Sequence, residues 1–239
     1  MATLWNRGFT LTWLGHSAFE LVTKTGKVVL FDPFLESNPK CPADRKHPAK
    51  ADIIALSHAH GDHASEVPAI AERTGATVVC GYEAYVHLES KGVKNCKPMG
   101  VGGTQLLHGI GFTMTNAIHS SSFDEPGRPN GGIASGFVVT LEDGTRLYYA
   151  GDTGPTMDMQ LVRELYEPVI AILPIGDLFT MGPREAAWAA EKLGVLYVVP
   201  MHWGTFDMLT GTPAKLREAL TDRGYAADVV DMVPGVPQS

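Results

Sequence analysis

Short apolar runs separated by glycine, proline and polar residues follow one another along the whole chain, and their lengths predict strands and helices in alternation. The chain begins with three successive strands, 9–14, 18–23 and 27–32, of which the last two are joined by a hairpin turn at Thr25-Gly26. Strand and helix then alternate. This part contains strands 52–57 and 77–80, helix 66–73 ending before Gly75, and helix 83–90 ending before Gly92.

The second half of the chain repeats this order. Its predicted elements are strands 111–118, 136–141 and 146–150, helix 157–165, strand 169–174, helix 183–193, strand 196–201, helix 213–223 and strand 228–231. Two β-sheets packed face to face with helices outside satisfy such an order, which predicts an α/β fold. Because no linker-like or low-complexity segment divides the chain, we expect a single domain over residues 1–239.

Composition supports a folded domain and narrows its partners. The chain has 239 residues, of which 44% are hydrophobic and 19% charged, as in ordinary globular proteins. A net charge of −7 and the absence of Lys/Arg runs argue against a nucleic-acid partner, which needs a basic face. The longest apolar runs, such as 169–175, are too short to cross a bilayer.

The expected cellular setting is the cytoplasm, without membrane partners. The N-terminal residues MATLWNRGFTLTW contain neither the apolar core of a signal peptide nor a cleavage site. Cys41, Cys80 and Cys96 are odd in number and widely spaced, a pattern that favours reduced thiols over a disulfide framework.

The segment LSHAHGDHAS, residues 56–65, holds three of the nine histidines together with an aspartate. It lies between a predicted strand and a predicted helix, where α/β folds place their sites. His58 and His60 are two residues apart, so an extended backbone projects both imidazoles to the same side. Gly61 allows a turn, after which Asp62 and His63 point to a second spot. The set suits zinc or a similar divalent ion, whereas a solvated loop with incidental histidines would not gather these ligand types in six residues.

Three further candidate ligands follow predicted strands. His119 follows strand 111–118, Asp152 follows strand 146–150, and His202 follows strand 196–201. Any one of them alone is explained as a cap or turn residue. Together with the first cluster they form a constellation of ligand types at four strand ends, which predicts a metal centre.

The stretch H-A-H-G-D-H resembles the H-x-H-x-D-H signature of the metallo-β-lactamase superfamily, and the later ligands follow in that superfamily's order. Four other stretches resemble one branch, the uncharacterised prokaryotic metal-dependent hydrolases: Gly15-His16-Ser17, Tyr149-Ala150-Gly151-Asp152-Thr153, Gly176-Asp177-Leu178-Phe179-Thr180-Met181-Gly182-Pro183 and Pro200-Met201-His202-Trp203. That branch is more distantly similar to ascorbate-6-phosphate lactonase and to the phospholipase D acting on N-acyl-phosphatidylethanolamines.

The resemblance implies an αββα four-layer sandwich of two mixed sheets and a metal-dependent hydrolase with a dinuclear site. It assigns His58, His60 and His119 to the first metal, and Asp62, His63 and His202 to the second, with Asp152 bridging both. Asp62, Asp152 and His202 are accordingly the expected catalytic ligands. The expected cofactors are two divalent ions, zinc first, with manganese, nickel or iron as alternatives. A hydroxide formed from a water shared by both ions would attack the substrate, and the metals would stabilise the oxyanion.

The resemblance also separates classes of function. Redox di-iron relatives typically carry Glu where His60 stands here, so hydrolysis is favoured over oxygen chemistry. Nucleases of the superfamily carry an extra domain and basic surfaces, which this chain lacks. We expect hydrolysis of an ester, lactone or phosphodiester of a small molecule. The alternative is a non-catalytic protein that keeps the metals and binds a small molecule or partner, and a homo-oligomer remains open.

Four residues are candidates for contacts around the metals or with substrate. Asp32 either accepts a proton from a ligand imidazole or forms the turn before Pro33. His16 contacts substrate or a metal ligand, or is a core histidine. Asp177 orients His202 or touches substrate. Arg128 is the single cation of the Gly/Pro-rich segment 120–132, which is either a lid or specificity element or a plain surface loop, and it could meet an anionic group of the substrate.

The other histidines and the nearby apolar residues match no ligand pattern. His47, His87 and His108 are expected at the surface. Apolar side chains near the expected site either wall a pocket or belong to the core: Phe179, Met181, Trp203 and Phe206.

Overall fold

A computed structural model describes residues 8–239, which form two compact units. The first unit comprises residues 8–100, 121–132 and 232–239, and the second comprises residues 101–120 and 133–231. The first seven residues of the segment expected to lack an export signal lie outside the described part of the chain. The expected single domain over 1–239 stays a prediction.

The first unit contains a six-stranded mixed sheet whose strands are ordered as they follow in the chain. The first three strands pair antiparallel and the rest parallel. The strands are β1 (Thr10–Gly15), β2 (Ala18–Val22), β3 (Val28–Phe31), β4 (Ile53–Ala55), β5 (Thr77–Gly81) and β6 (Cys96–Met99). The helices are α1 (Gly61–Ala64), α2 (Val67–Thr74) and α3 (Tyr82–Ser90), and a short 3₁₀ turn covers Ala43–Arg45.

The second unit contains a seven-stranded mixed sheet, again in chain order. Its first four strands pair antiparallel, and from the fourth strand onward the pairing is parallel. The strands are β7 (Thr104–Leu107), β8 (Ile110–Asn116), β9 (Ser135–Thr140), β10 (Arg146–Tyr149), β11 (Ile170–Pro174), β12 (Tyr197–Met201) and β13 (Asp228–Val229). The helices are α4 (Asp158–Tyr166), α5 (Pro183–Leu193) and α6 (Pro213–Asp222).

The predicted α/β alternation, repeated once, is confirmed. The sequence prediction missed strands β6 and β7, and both lie at an edge of their sheet. Residues of β6 and β7 alternate between half-buried and exposed along most of their length, and β6 contains Pro98. Edge strands bury little of either face and tolerate proline, so they lack the hydrophobic pattern that marks a central strand. The four-residue helix α1 was also missed.

Buried parallel strands carry the candidate ligands at their ends. Strand β4 is fully buried and pairs with β3 and β5 on either side. The chain leaves its carboxyl end directly into residues 56–63, while strands β10 and β12 of the second unit lead to Asp152 and His202. These are the positions at which open α/β sheets place their sites.

Two further expectations concern the cysteine thiols and membrane-spanning segments. All three cysteines are free; Cys41 and Cys80 are buried and Cys96 is half-buried. Across residues 8–239, every helix is too short or too polar to span a bilayer.

Candidate metal centre

Four candidate ligands of the first unit lie in the segment His58–His63, which we call the histidine loop. His58 Nε2 lies 3.1 Å from His60 Nδ1. His63 Nε2 lies 3.8 Å from Asp62 Oδ2. Two donors that bind one tetrahedral zinc at about 2.0–2.1 Å lie roughly 3.3 Å from each other, so both separations suit a shared ion. The histidine loop therefore offers two candidate donor pairs. One consists of two imidazole nitrogens and the other of an imidazole nitrogen and a carboxylate oxygen.

Asp32 is fully buried and contacts the Nδ1 side of the His63 ring. Its Oδ2 lies 2.8 Å from His63 Nδ1. An ionised carboxylate only accepts, so Nδ1 of His63 carries the proton and Nε2 is the nitrogen available as a ligand atom. The Ser57 amide donates to Asp32 Oδ1 over 2.7 Å, and the Ser57 hydroxyl donates to Asp32 Oδ2. This is the arrangement in which a carboxylate fixes the orientation of a ligand imidazole.

His16 is a second buried residue that contacts the histidine loop, in this case at Asp62. Its side chain is 1% exposed and its Nε2 lies 2.9 Å from Asp62 Oδ2. Trp13 Nε1 donates to the carbonyl of His16 over 2.9 Å and fixes the backbone there. The structure thus places His16 against a candidate ligand.

The second unit brings His119, Asp152 and His202 together. Asp152 Oδ2 lies 3.1 Å from His202 Nε2 and 3.8 Å from His119 Nε2. Asp152 and His202 are buried, with 3% of each side chain exposed, and His119 is 14% exposed. One carboxylate oxygen that faces two imidazoles has the position expected of a shared ligand.

Two contacts of neighbouring residues bear on this arrangement in the second unit. The Ile118 amide donates to Thr153 Oγ1 over 2.9 Å, which ties the residue before His119 to the residue after Asp152. A Cβ at Gly176 would lie 2.0 Å from the carbonyl oxygen of His202. Only glycine allows so close an approach of the two backbones.

The other sequence candidates lie in different surroundings. Asp177 Oδ1 accepts the amide of its neighbour Leu178 over 2.8 Å. Arg128 Nη1 donates to Asp124 Oδ1 over 3.0 Å, and its side chain is exposed. The expectation that these two contact substrate stays a prediction.

The apolar candidates divide into core and surface. Met181 is buried, whereas Phe179 and Phe206 are exposed. Trp203 is half-buried and its Nε1 donates to the carbonyl of Pro200 over 3.3 Å.

The expectation that His87 lies at the surface is wrong. Its side chain is 13% exposed and its ring stacks on Phe123, with 3.8 Å between centroids. The contact was missed because the residues are 36 positions apart and neither belongs to a motif. His47, by contrast, is 69% exposed beside Glu36, and His108 is exposed.

Backbone strain coincides with the candidates. Eight described residues other than glycine have positive φ, and five of them are candidates named from the sequence: His16, Asp32, Arg128, Asp177 and His202. Such conformations cost of order 1–3 kcal/mol each and gather at functional sites, where the surrounding structure enforces them. Sequence reasoning had no means of finding this signal.

The donor set of each unit fits a divalent metal. In the first unit, His58 Nε2 lies 3.1 Å from His60 Nδ1, and His63 Nε2 lies 3.8 Å from Asp62 Oδ2. The second unit adds two imidazoles around one carboxylate. Imidazole nitrogen with carboxylate oxygen is the donor chemistry of zinc and of neighbouring divalent ions.

Comparisons with known proteins agree with this chemistry. A family model described as a beta-lactamase superfamily domain matches residues 27–203. A UPF0173 metal-dependent hydrolase of Rubrobacter xylanophilus is 43% identical over 230 residues, which is 95% of each chain. Its counterpart from Chloroflexus aurantiacus is 42% identical over 240 residues, covering 98% of each chain. Among solved structures, the metallo hydrolase Igni18 of the hyperthermophilic archaeon Ignicoccus hospitalis is 34% identical, with a TM-score of 0.85 over 97% of this chain and 98% of its own.

Proposed function

Because this chain belongs to the UPF0173 family of metal-dependent hydrolases within the β-lactamase superfamily, we propose that its metal centre is dinuclear and that it hydrolyses an ester, lactone or phosphodiester of a small molecule. Membership confirms both the resemblance read from the sequence and the fold class, an α/β metallo-β-lactamase fold with two mixed sheets. The relatives are named as hydrolases, so the alternative of a non-catalytic binding protein is set aside.

The proposed ligands come from both units. His58, His60 and His119 hold one ion, Asp62, His63 and His202 hold the other, and Asp152 is shared. The observation that carries the dinuclear proposal is the position of Asp152 Oδ2, which faces the ligand nitrogens of both His119 and His202. The pairing of His58 with His60, and of Asp62 with His63, supports the same division within the histidine loop.

The chain's own residues orient the ligands. When bound, divalent cations would lower the pKa of a bound water and stabilise negative charge on the substrate. Asp32 keeps the proton of His63 on Nδ1, and His16 Nε2 fixes the carboxylate of Asp62 by contacting its Oδ2. Burial of Asp152 and His202 excludes bulk water from this side of the centre, which strengthens every charge interaction there.

Zinc is the proposed metal, with manganese, nickel or iron as alternatives, since imidazole and carboxylate ligands serve all of them. A small-molecule substrate, no nucleic-acid or membrane partner, a cytoplasmic location and an open oligomeric state all remain sequence-based expectations.

The test is elemental analysis of protein purified without chelator, followed by a screen of generic esters, lactones, thioesters and phosphodiesters. We expect two metal ions per chain and turnover of at least one ester, lactone or phosphodiester. A value that stays at one ion after reconstitution with excess zinc would contradict the dinuclear centre. Turnover confined to some other class of bond would contradict the proposed reaction.

A further inference from the structure

Residues 121–132, which we call the support loop, belong to the same compact unit as the histidine loop and hydrogen-bond to its backbone. The Ala59 amide donates to Ser121 Oγ over 3.2 Å. The Gly61 amide donates to Asp124 Oδ2 over 3.1 Å. These two amides stand on either side of His60, so the support loop holds the backbone at the centre of the histidine loop.

Asp124 accepts a hydrogen bond from the first amide of helix α1, where the cap residue His60 accepts none through its side chain. His60 is the N-cap residue of helix α1, and its side chain makes no capping hydrogen bond. The first amides of a helix have no acceptor within the helix and are usually satisfied by the side chain of the cap residue. A histidine whose imidazole binds a metal is not available for this role. The carboxylate of Asp124 supplies the acceptor from a distant part of the chain.

The two loops approach each other as closely as glycine permits. A Cβ at Gly131 would lie 2.3 Å from the Cβ of Ala59. A Cβ at Gly61 would lie 2.7 Å from Asp124 Oδ2. Both separations are below any real Cβ contact. A side chain at Gly131 would push the loops apart, whereas a side chain at Gly61 would displace the carboxylate of Asp124. Glycine at these two positions is therefore part of how the loops fit together.

The support loop is itself anchored at helix α3. Phe123 is 5% exposed, lies in the core cluster of the first unit and stacks on the ring of His87. Glu125 lies 3.1 Å from His87 Nε2 and 2.6 Å from Lys91 Nζ, through different carboxylate oxygens. Hydrogen bonds from Lys91 and, second, from His87 lower the pKa of Glu125. The support loop is thus tied both to α3 and to the histidine loop.

We propose that Asp124 and Ser121 are positioning residues of the metal centre, which hold the backbone around His60 so that His58 and His60 present their ligand nitrogens together. This rests on the proposed function, because it presupposes that these two imidazoles bind an ion. Residues that orient metal ligands typically contribute 10–100-fold to metal affinity. The Asp124 side chain is 52% exposed, so water can replace part of its contribution and the lower end of that range is expected.

The experiment compares Asp124→Ala with Asp124→Asn and with Asp44→Ala. Asparagine keeps an oxygen that can accept from Gly61, whereas Asp44 is an 82% exposed carboxylate in the 3₁₀ turn of the same unit and serves as the matched control. Three quantities are measured: the Kd for Zn²⁺ by competition with a chromophoric chelator, the visible absorption of the Co²⁺-loaded protein, and hydrogen exchange of the Gly61 amide. A purely structural role would lower the melting temperature of Asp124→Ala and leave the Co²⁺ spectrum unchanged.

We expect Asp124→Ala to weaken Zn²⁺ binding about 10-fold, to shift the Co²⁺ spectrum and to speed exchange at Gly61. The Zn²⁺ affinity of Asp124→Asn should stay within about 3-fold of the parent value. The Zn²⁺ affinity of the control Asp44→Ala should equal that of the parent. Should Asp124→Ala fail to fold, Ser121→Ala gives the same test at the Ala59 amide. Parent-like Kd and Co²⁺ spectrum in the alanine variants would overturn the proposal. A parent protein that binds no metal would instead refute the proposed function, and the positioning role would fall with it.

Discussion

The two units present their ligands in different ways. The first unit concentrates four candidates in six consecutive residues and surrounds them with side chains that hold them: Asp32 on His63, His16 on Asp62, and Ser121 and Asp124 on the backbone. The second unit offers three candidates from three separate strand ends. The Thr153 hydroxyl accepts from the Ile118 amide, and Gly176 lets its backbone approach that of His202 closely. The candidate ligands of the first unit are thus close together in the sequence, whereas those of the second unit are far apart in the sequence and meet where strands end.

This difference predicts different responses to mutation. In the second unit, parallel pairing sets the order of strands β10, β11 and β12, so that Tyr149 is level with Ile172 and Ile172 with Val199. In that unit we expect substitution of the candidate ligands themselves to have the largest effect. In the first unit, the residues behind the ligands should be sensitive too.

The largest effect is expected at Asp152. Asp152→Ala removes the ligand proposed to be shared, so kcat/KM on any substrate found should fall by more than about 100-fold, beyond what the loss of a supporting residue causes. Elemental analysis should show metal lost as well. Asp222→Ala, at the exposed end of helix α6, is the control and should leave both quantities unchanged. An Asp152→Ala protein with most of its activity would mean that Asp152 is not shared between two ions.

Asp32→Ala tests whether side chains that contact the candidate ligands of the first unit contribute to metal binding. Asp32→Ala leaves His63 Nδ1 and the Ser57 amide without their acceptor, so metal affinity should fall about 10–100-fold. The free energy of unfolding should also fall by about 1–3 kcal/mol for each buried donor left unsatisfied. Chelator competition and denaturant unfolding measure the two effects. Unchanged metal affinity with lowered stability would assign Asp32 to the fold alone.

Removing the metal should lower the stability of the folded chain. A ligand at about a hundred times its Kd stabilises the folded chain by roughly 2.7 kcal/mol. In a domain of this size, 1 kcal/mol moves the melting temperature by about 2–4 °C, so chelation should lower it by several degrees. His58→Ala should shrink this difference.

The matched control for metal removal is His47→Ala, which changes a 69% exposed histidine and should keep the full response. Identical melting curves with and without chelator, in protein shown to have lost its metal, would contradict a stabilising role of the centre.

The smallest effect is expected at Glu125. Hydrogen bonds from Lys91, and next from His87, lower the pKa of this carboxyl below its ordinary value of 4.5. A carboxyl whose pKa is lower in the folded chain stabilises it above the unfolded pKa, and this contribution is lost as the pH falls through the folded pKa. Glu125→Gln should therefore be slightly less stable than the parent at pH 7, with the difference vanishing once the pH lies below the lowered pKa of the folded chain. Denaturant unfolding across this pH range tests the prediction, and a difference independent of pH would refute it.

Much of the fold, and the clustering of four candidate ligands in the histidine loop, could be predicted from the sequence because both depend on short-range patterns. Helix α5 occupies the predicted residues, and the spacing of His58 and His60 reflects the two-residue repeat of an extended chain. The support loop could not be predicted in the same way. Asp124 and Gly61 are 63 positions apart, and nothing in either segment signals the other. Contacts of this kind depend on tertiary packing, as does the stacking of His87 on Phe123.

We expect the candidate ligands of both units to hold two ions that share Asp152. Anomalous scattering from crystals of the zinc-loaded protein tests it directly. We predict two peaks about 3.5–4 Å apart, as in other two-metal sites. One peak should be bound by His58, His60 and His119 and the other by Asp62, His63 and His202, with Asp152 touching both. A single peak, or two peaks of which only one touches Asp152, would contradict the account.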